Sequence, residues 1–470
     1  MDRPDWRPLL ERACELALDF LHRLPDRPVA PALGPRGALA AFDRPLPEAS
    51  GEPGAVLEEL VQSADPGLCA MPSGRFFGWV IGGGLPAAVA ADWLTTVWDQ
   101  NCGTAEGTPA AAAVEQVALG WIAELLELPA ASGVLVTGCQ MANFVGLAAA
   151  RSEVLRRSGW DLEAEGMAGA PPVRVVVGGE RHGSIDKALR MLGFGSRGVV
   201  VIEADREGRM RADRLAAELG ARDLPTIVCA QAGNVNGGSF DPMPAIADAV
   251  DAARQRAPAW LHLDGAFGLW ARVSPRRRAL AAAAERADSW ATDAHKWLNT
   301  PYDCGIALTR HAEAHRRAMA GAAAYLPGVD PAVRSPFDYA PELSRRARGF
   351  VLWAALRQLG RAGCAALVDR TCDHAARLAA GLSALPGAVV MNQVVLNQLV
   401  VRFRDPAGAD DDAHTRAVAA RLQADGTCYP SLTVWRGAAA LRISISNWST
   451  DPADIDLTLD AVARAQRSAG

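Results

Sequence analysis

The 470-residue chain is predicted to fold as an α/β protein: a doubly wound, mainly parallel sheet with helices on both faces, followed by a small α+β domain. Three observations point there. From about Val134 to Thr309, short apolar runs rich in β-branched residues alternate with helical stretches, the pattern of parallel strands covered on both faces. Beyond about residue 385 the rhythm changes to strand, strand, helix, strand, helix. Half of the residues are hydrophobic and 21% are charged, which permits a large buried core and excludes wholesale disorder.

Residues 3–25 place Leu9, Leu10, Ala13, Leu16 and Phe20 at helical spacing and predict an amphipathic helix ended by Pro25 and Pro28. Residues 29–54, rich in Pro and Gly, predict an extended arm whose backbone groups find partners on a neighbouring subunit or domain. The strands of the large sheet follow: GVLVTG with a helix from Gln140, VRVVVG with a helix from Ser184, GVVVIEA, TIVCAQ with a helix from Pro244, WLHLD, and GIALT. Helices at 346–361 and 366–384 lead to the small domain, with strands at 389–391, 396–403 and 441–446 and helices at 414–424 and 452–467. The division is therefore 1–75 helical and extended, 76–345 large α/β domain, and 346–470 small domain.

The formal net charge of −5 argues against a nucleic-acid or anionic-membrane partner. Nine cysteines without a C-x-x-C pair support neither a disulfide framework nor a zinc ribbon, and no metal site is expected. The first twenty residues mix acids and bases through their apolar positions, unlike a signal peptide. The apolar run at 78–94 is broken by Gly82, Gly83, Gly84, Pro86 and Asp92 and is too short to span a bilayer. These features place the protein in a reducing compartment, the cytoplasm. Of 48 basic residues only Lys187 and Lys296 are lysine. Arginine can replace lysine as surface charge but not as a nucleophilic amine, so the two lysines draw attention.

Ligands of an open parallel sheet bind beyond the C-terminal ends of its strands. After GVLVTG come Gly138, Cys139 and Gln140 at a helix start, small residues that leave backbone N–H groups free for an anion. The turn is not G-x-G-x-x-G, so a dinucleotide fingerprint is absent. VRVVVGGE leads to His182, and WLHLD ends in Asp264 followed by Gly265 and Ala266. The segment Asp288-Ser-Trp-Ala-Thr-Asp-Ala-His-Lys-Trp297 puts Lys296 beside His295 among small residues, where burial is expected to lower the lysine pKa toward Schiff-base chemistry. Anion-binding turn, histidine, aspartate and lysine, in this order, match the needs of pyridoxal phosphate.

At these residues the sequence resembles the group II pyridoxal-phosphate decarboxylases, which act on aromatic amino acids, glutamate and histidine. The likeness runs from about Arg75 to Thr450 through RFFGWVIGGGLPAAVAADWL, ERHGSIDKALRMLG, HLDGAFG, DSWATDAHKW, SRRARGFVLWAALRQLG and LRISISNWST. It implies a fold-type I transferase with a seven-stranded sheet, working as a homodimer with active sites at the interface. It implies that Lys296 forms the Schiff base, Asp264 pairs with the ring nitrogen, His182 stacks on the ring, and Ala266 lies on its other face. Gly138, Cys139, Ser289 and His295 would surround the phosphate, and Asn234 would approach the ring oxygen. Tyr325, in AAYLPGVDP, would return a proton to the substrate carbon. By position, Phe76, Phe77, Trp79 and Ile81 would line the substrate pocket.

The implied reaction is decarboxylation of an L-amino acid to its amine. The alternatives are decarboxylation coupled to oxidative deamination, giving an aldehyde, and β-elimination on an S-substituted cysteine. A subunit that holds the cofactor without turnover is a further rival, opposed by the intact set of Lys296, Asp264, His182 and Tyr325. The chain departs from the family pattern at Asp293, where relatives often carry Asn, in Gly233-Asn234-Val235-Asn236, and in the Gly82–Gly84 run. Trp79, Trp93, Trp98 and Trp121 read as core or subunit interface. Arg345, Arg346 and Arg348 read as partners of acids across a dimer interface, with a substrate carboxylate as the alternative; Lys187 reads as helix-surface charge.

Overall fold

The computed structural model describes residues 5–321 and 334–468. Three helices come first, Arg7–Arg23, Pro35–Phe42 and Pro53–Ala64. The second falls inside the stretch expected to be an extended arm. Pro35 at its first position fixes φ for a helix start, and the apolar ALAAF turn that follows has good helix formers. The first two helices bury no residue, and Leu10, Leu18, Leu39 and Phe42 remain exposed.

A short strand β1 (Phe76–Phe77) precedes helices Pro86–Trp98 and Pro109–Leu125. The large sheet then forms from β2 (Ser132–Val136), β3 (Arg174–Gly178), β4 (Val199–Ile202), β5 (Thr226–Gln231), β6 (Ala259–Asp264), β7 (Ser289–Asp293) and β8 (Gly305–Thr309). Its order is β2-β8-β7-β6-β5-β3-β4, parallel throughout except that β8 runs against both neighbours. Strands β3, β5, β6, β7 and β8 are buried at every position because helices cover both faces. Strand β7 is the seventh strand that apolar runs alone do not reveal: its Ser-Trp-Ala-Thr-Asp sequence is too polar to stand out.

Helix Gly349–Ser383 was expected as two helices, and its backbone does break once, at Gly360 (φ +59°). Its first half packs Leu352 and Leu356 into the large core, and its second half packs Leu378 and Leu382 into the small one. The small sheet has β9 (Ala388–Val390), β10 (Gln398–Phe403), β11 (Tyr429–Trp435) and β12 (Ala438–Ser444), in the order β1-β11-β12-β10-β9. Strand β1 thus joins the small sheet, parallel to β11, although it precedes the large one in the chain. Among the described residues no helix is long and apolar enough to cross a membrane, and the nine cysteines form no disulfide.

Candidate active site

The C-terminal ends of β2, β3, β6 and β7 converge on one cleft. Asp264 closes β6 and Asp293 closes β7, so both carboxylates leave the sheet on the same edge. The turn after β7 carries His295 and Lys296. It is held by hydrogen bonds from Ala294 N–H to the Cys304 carbonyl (2.9 Å) and from Asn299 N–H to the Lys296 carbonyl (3.2 Å). Behind it runs the glycine segment. A Cβ on Gly82 would collide with the Lys296 carbonyl oxygen, and Gly83 N–H donates to Asn299 Oδ1 (2.6 Å). The Gly82–Gly84 run therefore allows backbone to pass directly behind the lysine.

Lys296 is largely buried, with Nζ 2.9 Å from Asp293 Oδ2. The expectation that burial lowers its pKa is corrected here. Burial does push the ammonium down, but the Asp293 carboxylate, helped by Asp264, outweighs it and the net shift is upward. The other Asp293 oxygen accepts the Cys139 N–H at 2.6 Å. His295 lies alongside, its Nε2 3.6 Å from Asp293 Oδ1, its Nδ1 accepting the Cys304 N–H and its ring stacked on Tyr302. Burial lowers its pKa, so the imidazole is neutral near pH 7.

Asp264 is positioned by a chain of buried hydrogen bonds. Trp260 Nε1 donates to Ser289 Oγ (2.9 Å), which lies 2.8 Å from His262 Nδ1. His262 Nε2 lies 2.9 Å from Asn143 Oδ1, and Asn143 Nδ2 donates to Asp264 Oδ2 and to Ser184 Oγ, each at 3.2 Å. Ser184 Oγ in turn sits 2.8 Å from His182 Nδ1, which also caps its helix by accepting the Ser184 N–H. The directions are mutually consistent only if His262 carries its proton on Nε2 and His182 presents Nε2–H to the cleft. Complete burial lowers the His262 pKa to about 4, which keeps that ring neutral. The pKa of His182 is also lowered, by desolvation in the cleft first and then by the Lys296 and Arg442 cations, although part of the residue is open to solvent. The second Asp264 oxygen faces the Ala266 N–H (3.2 Å) and the Cys139 thiol (3.4 Å). Burial, then the Asp264 charge, raise the Cys139 pKa well above its ordinary value and keep it a thiol.

These residues fit pyridoxal phosphate. Lysine, a buried carboxylate and a histidine share one cleft, and beside them helix Cys139–Arg157 begins at Gly138, which has no side chain to cap it. Gly138 at that start has no side chain, and a Cβ there would stand 3.3 Å from the His295 ring. A glycine at the helix start leaves room beside the backbone N–H groups for a phosphate, although the Cys139 N–H is held by Asp293.

Other expected positions fall elsewhere. Ser289 is at the opposite end of β7 from Lys296, fully buried against Trp260 and His262, because it begins the strand that Asp293 ends. Asn234 is also fully buried: its Oδ1 accepts the Asn236 and Gly237 N–H groups and its Nδ2 donates to the Glu180 carbonyl, so it shapes its own loop. Phe76 and Phe77 are core residues, Phe76 stacked on Tyr429 and Phe77 in the small-domain core. Trp79 is exposed and Ile81 half-buried. Arg345 is buried on Glu115 (3.0 Å), Arg346 pairs with Asp92 and Arg348 with Asp303, so each finds its acid within the chain and not across an interface. Lys187 is exposed on its helix. Tyr325 lies outside the described residues.

Three neighbours of the cleft escape sequence reading. Asn143 is one helical turn from Cys139 and His262 two residues before Asp264, so helix and strand periodicity place each on the face of a site residue. Arg442 had no such signal. It lies on β12 opposite Ser431 and Val400, its buried Nε has no hydrogen bond, and among the described residues it has no carboxylate partner.

Residues 35–404 match the pyridoxal-dependent decarboxylase conserved domain. The chain is 29% identical over 478 residues to tryptophan decarboxylase 1 of Oryza sativa subsp. japonica, covering 95% of this chain and 91% of that protein. It is 30% identical over 396 residues to L-2,4-diaminobutyrate decarboxylase of Rhizobium meliloti (strain 1021), covering 81% and 75%. In three dimensions it is similar to the crystal structure of Oryza sativa TDC with PLP and tryptamine, with a TM-score of 0.91, 25% identity, and 100% and 99% of the two chains covered.

Proposed function

This chain belongs to the pyridoxal-dependent decarboxylase family and is a pyridoxal-phosphate-dependent carboxy-lyase of amino acids; from that premise we propose that it releases the amine, with Lys296, Asp264 and His182 as its working groups. The observation that carries the assignment is the single hydrogen-bonded chain from His262 through Asn143 to both Asp264 and His182, with Lys296 facing the same cleft.

Lys296 would hold the cofactor covalently, the helix start at Gly138 and Cys139 its phosphate, and Ala266 one ring face. Bound there, pyridoxal phosphate supplies an electron sink for the pair left on Cα when the bond to the carboxylate breaks. Asp264 stays oriented because Asn143 pins one oxygen, leaving the other to keep a proton on the ring nitrogen. His182, neutral and with Nε2–H outward, would pack on the other face and offer that N–H as a hydrogen bond to the group that returns a proton to Cα. Tyr325 is assigned the return of a proton to Cα. Arg442, which has no carboxylate partner among the described residues, lies near His182 and suits first capture of a substrate carboxylate. A carboxylate leaving as CO2 loses its charge, so a cation held on it through the reaction would favour the ground state; the role of Arg442 is therefore in binding.

The exposed Trp79, Trp93, Leu94, Val97 and Trp98, with the unburied N-terminal helices, support a homodimer that covers them. Sedimentation equilibrium tests this, and a monomer at micromolar concentration would refute it.

The decisive experiment is a mass-spectrometric screen of the cofactor-loaded protein against aromatic, acidic, basic and S-substituted cysteine substrates, with peroxide followed in parallel. Amine without peroxide is expected. Aldehyde with stoichiometric peroxide would move the protein to oxidative deamination, and pyruvate to β-elimination. Lys296→Ala should lose the cofactor's visible band; an unchanged spectrum would remove Lys296 from its role.

A further inference from the structure

Asp293 is the one carboxylate of the cleft without a task in this chemistry. It is 1% exposed, its Oδ2 pairs with Lys296 at 2.9 Å, and its Oδ1 accepts the Cys139 N–H at 2.6 Å. That N–H belongs to the helix start assigned above to the cofactor's phosphate, and the inference rests on that assignment. Asp293 is thus the resident anion of an anion site.

Among the described residues the groups facing it come from five segments. Lys296 and His295 are on its own turn, Cys139 on the helix start, Asp264 on β6, Tyr302, Asp303 and Cys304 on the loop before β8, and His182 across the cleft. Burial lowers the pKa of His295, desolvation in the cleft with the Lys296 and Arg442 charges lowers that of the partly exposed His182, and burial keeps the two thiols and the Tyr302 phenol protonated, while Asp303 is paired with Arg348. Among these groups Lys296 alone is a cation free of another acid, and it already faces Asp293 and Asp264. A phosphate monoester near neutral pH adds close to two negative charges. Anions that share one set of donors cannot all remain ionised.

We propose that seating the cofactor's phosphate takes up one proton from solvent, shared by Asp293 and the phosphate over the Cys139 N–H. No other bond forms or breaks. The affinity for the cofactor rises as pH falls, and Asp293 is the residue that makes it do so.

The test uses the cofactor-stripped full chain and pyridoxine 5′-phosphate, which keeps ring and phosphate but has no aldehyde for Lys296. Titration calorimetry in buffers of different ionisation enthalpy counts protons, with pyridoxine as the control without phosphate. At about pH 8 the wild type should take up about one proton per phosphate ligand and none with pyridoxine. Asp293→Asn, equal in shape, should lose that proton and bind the phosphate ligand about tenfold tighter. Equal proton uptake in both proteins, or no phosphate-specific uptake in the wild type, overturns the proposal. If the variant melts early, the wild-type comparison of the two ligands decides alone. Binding of neither ligand, with no visible band on adding pyridoxal phosphate, would instead refute the placement of the cofactor.

Discussion

Asn143 is the residue on which the geometry of the cleft depends most, so Asn143→Leu is the most informative single change. It keeps a side chain of similar size and removes three contacts: Nδ2 to Asp264 (3.2 Å), Nδ2 to Ser184 (3.2 Å), and Oδ1 to His262 (2.9 Å). Ser184 keeps His182 as a partner, but Asp264 Oδ2 and His262 Nε2–H are left buried and unsatisfied. At about 1–3 kcal/mol for each orphaned group, more where one is charged, the loss is about 3–5 kcal/mol. An unfolding entropy of about 2.1 cal/mol/K per residue over 470 residues is roughly 1 kcal/mol/K, so a single cooperative melt should fall by about 3–5 °C. Differential scanning calorimetry reads this, and a titration with pyridoxal phosphate should show weakened binding because Asp264 is no longer pinned. A melting temperature within about 1 °C of wild type and an unchanged affinity would show that the amide does not hold Asp264, and the reasoning would fail.

Stability should also depend on His262. Its pKa is about 4 in the folded protein against about 6.5 unfolded, so between these values the unfolded chain binds more protons and stability falls as pH drops. The full effect is roughly 3 kcal/mol, present above pH 6.5 and lost on acidification toward 4; melting temperatures across this range should flatten in His262→Gln, and an equal slope in both proteins would contradict it. Gly82→Ala should disturb the Lys296 turn, since the new methyl group collides with a backbone carbonyl that has no room to yield. The expected loss is several kcal/mol in the melt together with reduced visible absorbance, and a protein that melts and absorbs like wild type would refute the close approach. Arg442→Met should raise KM about tenfold with little change in kcat, and unchanged KM would remove the residue from substrate capture.

Much of the site was legible in the sequence because its residues sit at strand ends. Asp264 follows a buried apolar run, and His182 follows another, so strand assignment also located the side chains. The failures share a cause as well. Ser289 lies in the same ten-residue stretch as Lys296, but a strand rises about 3.3 Å per residue, and β7 carries the two to opposite ends. Asn234 was chosen for its chemistry, and its amide is used up within its own loop. Phe76 and Phe77 looked like an entrance lining until β1 proved to be a strand of the small sheet.

By itself the sequence determined the alternation of strands and helices, the alkylamine that a nearly lysine-free chain retains at 296, and the order of histidine, aspartate and lysine along one sheet edge. These are local properties: a period of two or 3.6 residues, a side-chain type and a place after a strand. Tertiary structure decided which polar groups meet across distance. It joined Asn143 to Asp264 over 121 residues, brought β1 beside β11, put Arg442 near His182 with no carboxylate partner among the described residues, and set Asp293 between Lys296 and the helix start. A carboxylate raises the pKa of a neighbouring amine, and whether that outweighs burial depends on these distances, which is why the shift of Lys296 ran opposite to what burial alone predicted.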